Sequence, residues 1–319
     1  MRPIQLLTLG YPGFDVIMRI NRSPAVGETA IILEPPGINK PTPGGCAPNI
    51  AVAASRLGVG AAPVMVVGDD TEGKSMRSYL EGEGVDTSCV HLIAGGKTPH
   101  TFLFVDPDSG HQTYYYPGAA DDPIHLDIPA SIFQQLRFGV VTVGNPLHTE
   151  QFVEAMIARD VPLVWSLRND PHAFPLPLVK RLVSASQLLF MNQYEADQLL
   201  ALLKFDAMES LFQVGVEAVI LTLGTQGSRI LLRDTRMDVP AVKPDAIVDP
   251  TGAGDAFVGG MLSGLCMGAD MEMAARLGAV TASFVLEDWG CQTRLPTLDQ
   301  AAARYTAAFG TADFLVKGA

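Results

Sequence analysis

Six short apolar runs set the tightest limit on how this chain can fold: QLLTLG (5–10), PVMVVG (63–68), GVVTVG (139–144), PLVWSL (162–167), QLLFMN (187–192) and AVILTLG (218–224). Apolar runs of this length without alternation predict strands buried on both faces. Between them lie helix-length patterns, NIAVAASRLG, GKSMRSYLEGEG, TEQFVEAMIARD and PLVKRLVSAS. The repeated rhythm of strand, helix and strand predicts an α/β fold, a doubly wound and mostly parallel sheet flanked by helices. Ligands of such sheets gather at the carboxyl ends of the strands.

Two stretches break that rhythm. Residues 14–43 and 98–118 are rich in β-branched, aromatic, proline and glycine residues and lack a helical period. The second reads TFLFV, DPDSG, HQTYYYPG, which predicts a hairpin with a five-residue turn. Together they predict a small β-sheet lid over the pocket of a main α/β domain made of 1–13, 44–97 and 119–319, with an ordinary edge extension away from substrate as the alternative. Length alone, 319 residues, fits two domains or one large domain with an appendage. A composition 48% hydrophobic and 18% charged supplies a substantial core and excludes a disordered chain. The alanine-rich end reads as a terminal helix and tail.

The net charge of −12, without any lysine or arginine cluster, argues against nucleic acid or an anionic membrane as partner and for a small molecule. An acidic chain that binds a polyanion must use backbone donors, helix N-termini and metal ions. Cys46, Cys89, Cys266 and Cys291 form no C-x-x-C pair, so neither a disulfide framework nor a zinc site is encoded, and a reducing cytoplasm is expected. No signal sequence and no membrane-length apolar segment is visible. The six histidines never take metal-ligand spacing and read as solvated or supporting groups.

Residues 68–75, GDDTEGKS, satisfy the P-loop pattern G-x-x-x-x-G-K-[ST]. Their electrostatics oppose it. Asp69, Asp70 and Glu72 would face a triphosphate, and like charges about 5 Å apart repel by roughly 3 kcal/mol at an effective dielectric of about 20. The segment therefore reads as a solvated acidic turn capping a surface helix, with Lys74 exposed.

The strongest local chemistry lies in DPTGAGDAFVGG (249–260). Gly252, Ala253 and Gly254 are small enough for successive N–H groups to converge at a helix start as an anion hole, and Asp255 falls in the first turn. A carboxylate there repels a stored anion but suits a base that takes a proton from an attacking hydroxyl. A capped tight turn is the bland alternative. In MNQYEAD (191–197), Asn192 and Glu195 share a helical face able to hold hydrated Mg²⁺, or else form an ordinary cap with a surface acid. In TLGTQGS (222–228), Gly224 and Gly227 let backbone approach a nucleotide.

With GGCAPNIAVAASRLG (44–58), NQYE, TLGTQG and DPTGAGDAFVGG in this order, the sequence resembles the ribokinase-like, or PfkB, family of carbohydrate and nucleoside kinases along nearly its whole length. That family commonly carries a glycine-acid turn such as GDDTEGK, so the P-loop match is accidental. The resemblance implies an ATP-dependent kinase with Asp255 as base and Gly252, Ala253 and Gly254 as anion hole. It implies Asn192 and Glu195 around Mg·ATP, with Thr222, Gly224 and Gly227 along the nucleotide. Asp15, Gly44, Gly45 and Asn49 match the wall that grips sugar hydroxyls. Asp249 and Thr251 match a monovalent-cation site, K⁺ in many relatives, and a homodimer through the β lid is a further expectation.

YYYPGAA (114–120) and VLEDWGCQ (285–292) resemble bacterial adenosine-kinase-like members. Phe102 and Tyr115 are candidate stacking groups for a nucleobase, with cross-strand packing as the alternative. The acceptor is thus expected to offer a terminal CH₂OH on a nucleoside, with a simple sugar as rival. A P-loop NTPase using Lys74 and a non-catalytic nucleotide-binding protein are the remaining readings. Asp255 beside an intact small-residue turn argues against the latter.

Overall fold

A computed structural model describes residues 2–33, 41–106, 110–311 and 313–316. Its strands are β1 (Ile4–Leu9), β2 (Gly13–Arg19), β3 (Thr42–Gly44), β4 (Gly60–Gly68), β5 (Val90–Ile93), β6 (His100–Asp106), β7 (Gly110–Tyr116), β8 (Phe138–Val141), β9 (Leu163–Ser166), β10 (Ser186–Asn192), β11 (Ala218–Thr222), β12 (Ser228–Leu232) and β13 (Arg236–Val239). The helices are α1 (Cys46–Arg56), α2 (Thr71–Gly82), α3 (Pro146–Ile157), α4 (Leu176–Ala185), α5 (Gln193–Leu203), α6 (Glu209–Gln213), α7 (Ala253–Cys266), α8 (Met271–Val285), α9 (Leu298–Phe309) and α10 (Asp313–Val316).

Nine strands form the large sheet in the order β13-β12-β11-β10-β9-β8-β1-β4-β5. All neighbours from β11 to β5 run parallel, and β12 and β13 close one edge antiparallel. Neighbouring residues of one strand feed opposite cores. Leu6, Val164, Phe190 and Ile220 pack toward α1, α2, α7 and α8, whereas Leu7, Trp165, Leu189 and Val219 pack toward α3, α4, α5 and α6. The apolar runs are continuous for that reason.

The second sheet has four strands in the order β3-β2-β6-β7. Asp106 pairs with Gly110, so the β6–β7 connection is shorter than the five residues predicted. Its residues 107–109, like 34–40 of the first β excursion and 317–319 of the expected tail, lie outside the described residues. Register also separates two candidate residues. Asp15 and Tyr115 both stand opposite Thr101 on one face, while Phe102 stands opposite Val16 and Tyr114 on the other. Phe102 and Tyr115 therefore do not face the same pocket, contrary to the sequence expectation.

The histidines are not all solvated either: His148, on α3, is 4% exposed in the core, where burial lowers its pKa. All four cysteines are free. No helix among the described residues is long and apolar enough to cross a membrane.

Candidate active site

The site forms where α7 begins. Gly252 precedes it at φ +80°, in the left-handed region, and a Cβ there would stand 2.6 Å from the Cβ of Cys291. Glycine meets both demands. Ala253 N–H turns back to the Pro250 carbonyl at 3.3 Å, whereas among the described residues the N–H groups of Gly252, Gly254 and Asp255 find no acceptor. The donors left over at the α7 terminus thus differ by one residue from the three predicted.

Asp255 is 2% exposed and does not cap its own helix. Its Oδ2 accepts from Asn49 Nδ2 at 2.8 Å and its Oδ1 from Arg168 Nη2 at 3.0 Å. Gln292 Nε2 donates to Asn49 Oδ1 at 2.7 Å, which fixes the amide orientation that serves Asp255. Helix packing sets this spacing. A Cβ on Gly259 would stand 2.7 Å from that of Ala53, so glycine lets α7 lie close against α1, the helix that carries Asn49.

Arg168, in the loop after β9, has no place among the sequence candidates. Besides Asp255, its Nη1 lies 3.8 Å from Glu195 Oε1, and its side chain is 38% exposed. Nearby Cys46 is pushed up to about 12, first by burial and then by Asp255, so a neutral thiol stands there. Arg168 is the counter-ion of both buried acids.

Asn192 and Glu195 form a reciprocal capping box at α5: Asn192 Oδ1 accepts Glu195 N–H at 2.8 Å and Glu195 Oε2 accepts Asn192 N–H at 2.8 Å. Glu195 is buried, not a surface acid, and burial raises its pKa against the pull of the Asn192 N–H and Arg168. Thr222 Oγ1 leans on the Met191 carbonyl at the adjoining strand end. Gly224 opens into free space at φ +59°, while Gly227 makes room for the Val239 carbonyl, which a Cβ would approach to 2.0 Å. Gly227 thus packs against β13.

On the small sheet, Asp15 is 5% exposed, with Cys291 Sγ donating to its Oδ2 at 3.4 Å. Burial pushes its carboxyl up to about 6, against hydrogen bonds from Thr101 and Cys291, with Asp255 and Asp249 adding to the rise. A Cβ on Gly44 would lie 2.0 Å from Asp15 Oδ2, and Gly45 caps α1 without a side chain. Tyr115 donates to the Pro12 carbonyl at 3.0 Å and packs on Tyr11 at 4.8 Å between ring centroids. Asp249 is 2% exposed; it accepts Thr251 N–H at 2.9 Å and Gly290 N–H at 3.1 Å. Asp15, Asn49, Asp249, Asp255, Cys291 and Gln292 therefore form one connected neighbourhood, with Arg168 and Glu195 at its edge.

The GDDTEGKS segment is built differently. Asp70 Oδ1 accepts Gly73 N–H at 2.9 Å and its carboxylate also accepts the N–H and hydroxyl of Thr98. Lys74 pairs with Asp69 at 2.8 Å, both exposed.

Comparison with known proteins agrees with this fold. The model of pfkB family carbohydrate kinases matches residues 32–298. A nucleoside kinase from Methanothermobacter thermautotrophicus is 31% identical over 305 residues, 96% of each chain. The solved nucleoside kinase of Methanocaldococcus jannaschii superposes with a TM-score of 0.82 at 27% identity, covering 96% of this chain and 100% of that one. A nucleoside kinase from Burkholderia thailandensis, in complex with inosine, gives a TM-score of 0.84 at 25% identity, over 96% of this chain and 99% of its own. With its large, mostly parallel sheet, its second small sheet and a family match spanning most of its length, the chain belongs to the PfkB family of carbohydrate kinases.

Proposed function

We propose that this phosphotransferase moves the γ-phosphoryl group of ATP onto the terminal CH₂OH of a nucleoside, with Asp255 taking the proton of the attacking hydroxyl. One observation carries the reading: a carboxylate 2% exposed stands in the first turn of a helix at whose start the N–H groups of Gly252, Gly254 and Asp255 find no acceptor among the described residues. An anion hole and a base side by side suit transfer to a hydroxyl. The free N–H groups of Gly252, Gly254 and Asp255 fit a phosphoryl group, and Gly224 with Thr222 fits the nucleotide's flank.

The residues also fit Mg²⁺, provided water intervenes. Asn192 Oδ1 and Glu195 Oε2 already accept backbone bonds, and magnesium retains several waters and needs one or two protein oxygens. When bound, it supplies neutralisation of the triphosphate charge. Asp249, buried and accepting the N–H groups of Thr251 and Gly290, fits a K⁺ site with Thr251.

Asp15, Gly44, Gly45 and Asn49 form the acceptor wall, and the described parts of 14–43 and 98–118 act as its lid. The preference for a nucleoside rests on the similarity to nucleoside kinases and on Tyr115, which shares the face of Asp15. A simple sugar is the second reading, favoured by the position of Phe102 on the far face. That far face also carries Tyr114, 58% exposed, and Tyr116, 48% exposed, and suits a homodimer through the lid, which light scattering tests. Free cysteines accord with a cytoplasmic location.

Turnover with ATP across adenosine, inosine, other nucleosides, ribose and fructose tests the reading. Higher kcat/KM for nucleosides supports it, and efficient sugar turnover with poor nucleoside turnover replaces it by the sugar-kinase reading. Tyr115→Ala then raises nucleoside KM more than sugar KM, while Phe102→Ala alters neither.

A further inference from the structure

The guanidinium of Arg168 lies beside both Asp255 and Gly254 at the start of α7. Its Nη2 lies 3.0 Å from Asp255 Oδ1, and both terminal nitrogens stand within van der Waals reach, 3.6 and 3.9 Å, of where a Cβ on Gly254 would be. Gly254 supplies one of the unclaimed N–H groups. The cation thus lies against both the base and the anion hole. Arg168 also borders an open cleft of about 280 Å³, walled by Trp165, Leu167, Phe174 and Leu199 with Glu195 at its side, so its side chain has room to shift.

We propose that Arg168 is a ligand of the γ-phosphoryl group that shields Asp255 until nucleotide arrives. The inference rests on the kinase reading above. A terminal phosphate carries more charge than a carboxylate and offers the guanidinium a bidentate partner, so it draws Arg168 away from Asp255 Oδ1. Asp255 keeps its bond from Asn49 and turns the released oxygen to the acceptor hydroxyl. In the transfer, the hydroxyl oxygen bonds to the γ phosphorus and its proton passes to Asp255. The bond between that phosphorus and the β–γ bridging oxygen breaks, and ADP leaves with the electron pair. Arg168 balances charge on the moving phosphoryl oxygens throughout. Without nucleotide the base is held in an ion pair with Arg168.

The test compares binding of ADP and of the non-hydrolysable imido analogue of ATP by calorimetry, alongside turnover, in wild type, Arg168→Gln and Arg168→Lys. In Arg168→Gln, affinity for the ATP analogue falls about tenfold or more while affinity for ADP stays within about twofold, and kcat falls about 10² to 10³-fold. Arg168→Lys, which keeps the charge but not the fork, recovers part of both losses; it carries the test alone if the glutamine variant does not fold. Equal weakening of both nucleotides, unchanged analogue affinity, or kcat within threefold of wild type overturns the proposal. Wild type that transfers phosphate while Arg168→Gln does so equally well rejects Arg168 alone. Wild type that phosphorylates neither nucleosides nor sugars rejects the kinase reading and this proposal with it.

Discussion

Two helix starts in this molecule share the features that make phosphate sites, a glycine-containing turn and an acid in or beside the first turn, and they use them oppositely. At α2, Asp70 folds its carboxylate over the helix terminus and binds Gly73 N–H, together with the Thr98 N–H and hydroxyl from the approach to β6. Its N-terminus is occupied by the protein's own anion. At α7, Gly252 has no side chain to offer, and Asp255 turns away to Asn49 and Arg168, so that donors remain unclaimed. What separates a capped terminus from an open one is therefore which group satisfies the terminal N–H groups, not the string of letters that surrounds them.

The sharpest way to break this contrast is Asp255→Asn. The amide keeps the volume and the bond geometry but cannot take a proton, so turnover falls about 10² to 10⁴-fold while nucleotide affinity stays within a few fold. Steady-state kinetics with nucleotide titration measures both. Near-normal kcat would reduce Asp255 to another cap and erase the difference between the two termini.

The two sites also hold their acids at opposite extremes. Asp15, across from the α7 terminus, is pushed up to about 6, chiefly by burial. Its neutral form is favoured in the folded state, so the stability it contributes is full below the unfolded pKa of about 4 and is lost as pH rises through about 6. In the proposed acceptor wall, Asp15 grips hydroxyls in its ionised form. Acceptor kcat/KM therefore declines as pH falls below about 6, approaching tenfold per unit, and Asp15→Asn, with a lower plateau, lacks that limb. A flat wild-type profile between pH 5 and 7 would remove Asp15 from the acceptor wall.

Asp70 shows the reverse sign. Burial works against its charge, but Thr98 and Gly73 hold the carboxyl down at about 2. Its contribution is present above the unfolded pKa of about 4 and is lost as pH falls from there toward 2. Asp70→Ala costs about 1 kcal/mol near neutrality by denaturant melting, a loss that shrinks in acid, and leaves kcat unchanged. A loss of turnover at preserved stability would assign α2 a catalytic part.

The fold was legible because strands buried on both faces leave unbroken apolar runs, and the α7 terminus because its glycines and acid are adjacent in the chain. Arg168 was not legible. It reaches Asp255 across 87 residues, a contact set by how β9 registers against β8 and β10 and invisible in the segment SLRND. The opposite faces of Phe102 and Tyr115 were already implicit in the predicted hairpin, because a five-residue turn pairs Val105 with His111, the register in which Asp106 also pairs with Gly110 and Phe102 stands opposite Tyr114. The antiparallel edge of β12 and β13 also escaped notice, since Arg229 and Asp238 interrupt its apolar pattern with an exposed ion pair.

The smallest effect expected is at Lys74, and its smallness is the point. In a true P-loop this lysine reaches the β- and γ-phosphates, and its loss is crippling. Here its ammonium lies 2.8 Å from Asp69, with the two side chains 62% and 43% exposed, an arrangement contributing about 0 to 1 kcal/mol. Lys74→Ala should leave kcat/KM for ATP within about twofold and move Tm by no more than about 2 °C, the shift that 1 kcal/mol or less gives in a chain this size. Kinetics and a thermal melt on one preparation decide it, because a folding defect lowers Tm along with activity. A tenfold rise in the KM for ATP at unchanged Tm would mean that nucleotide displaces Asp70 from the α2 terminus. The two helix starts would then be two phosphate sites, one open and one shielded by its own acid.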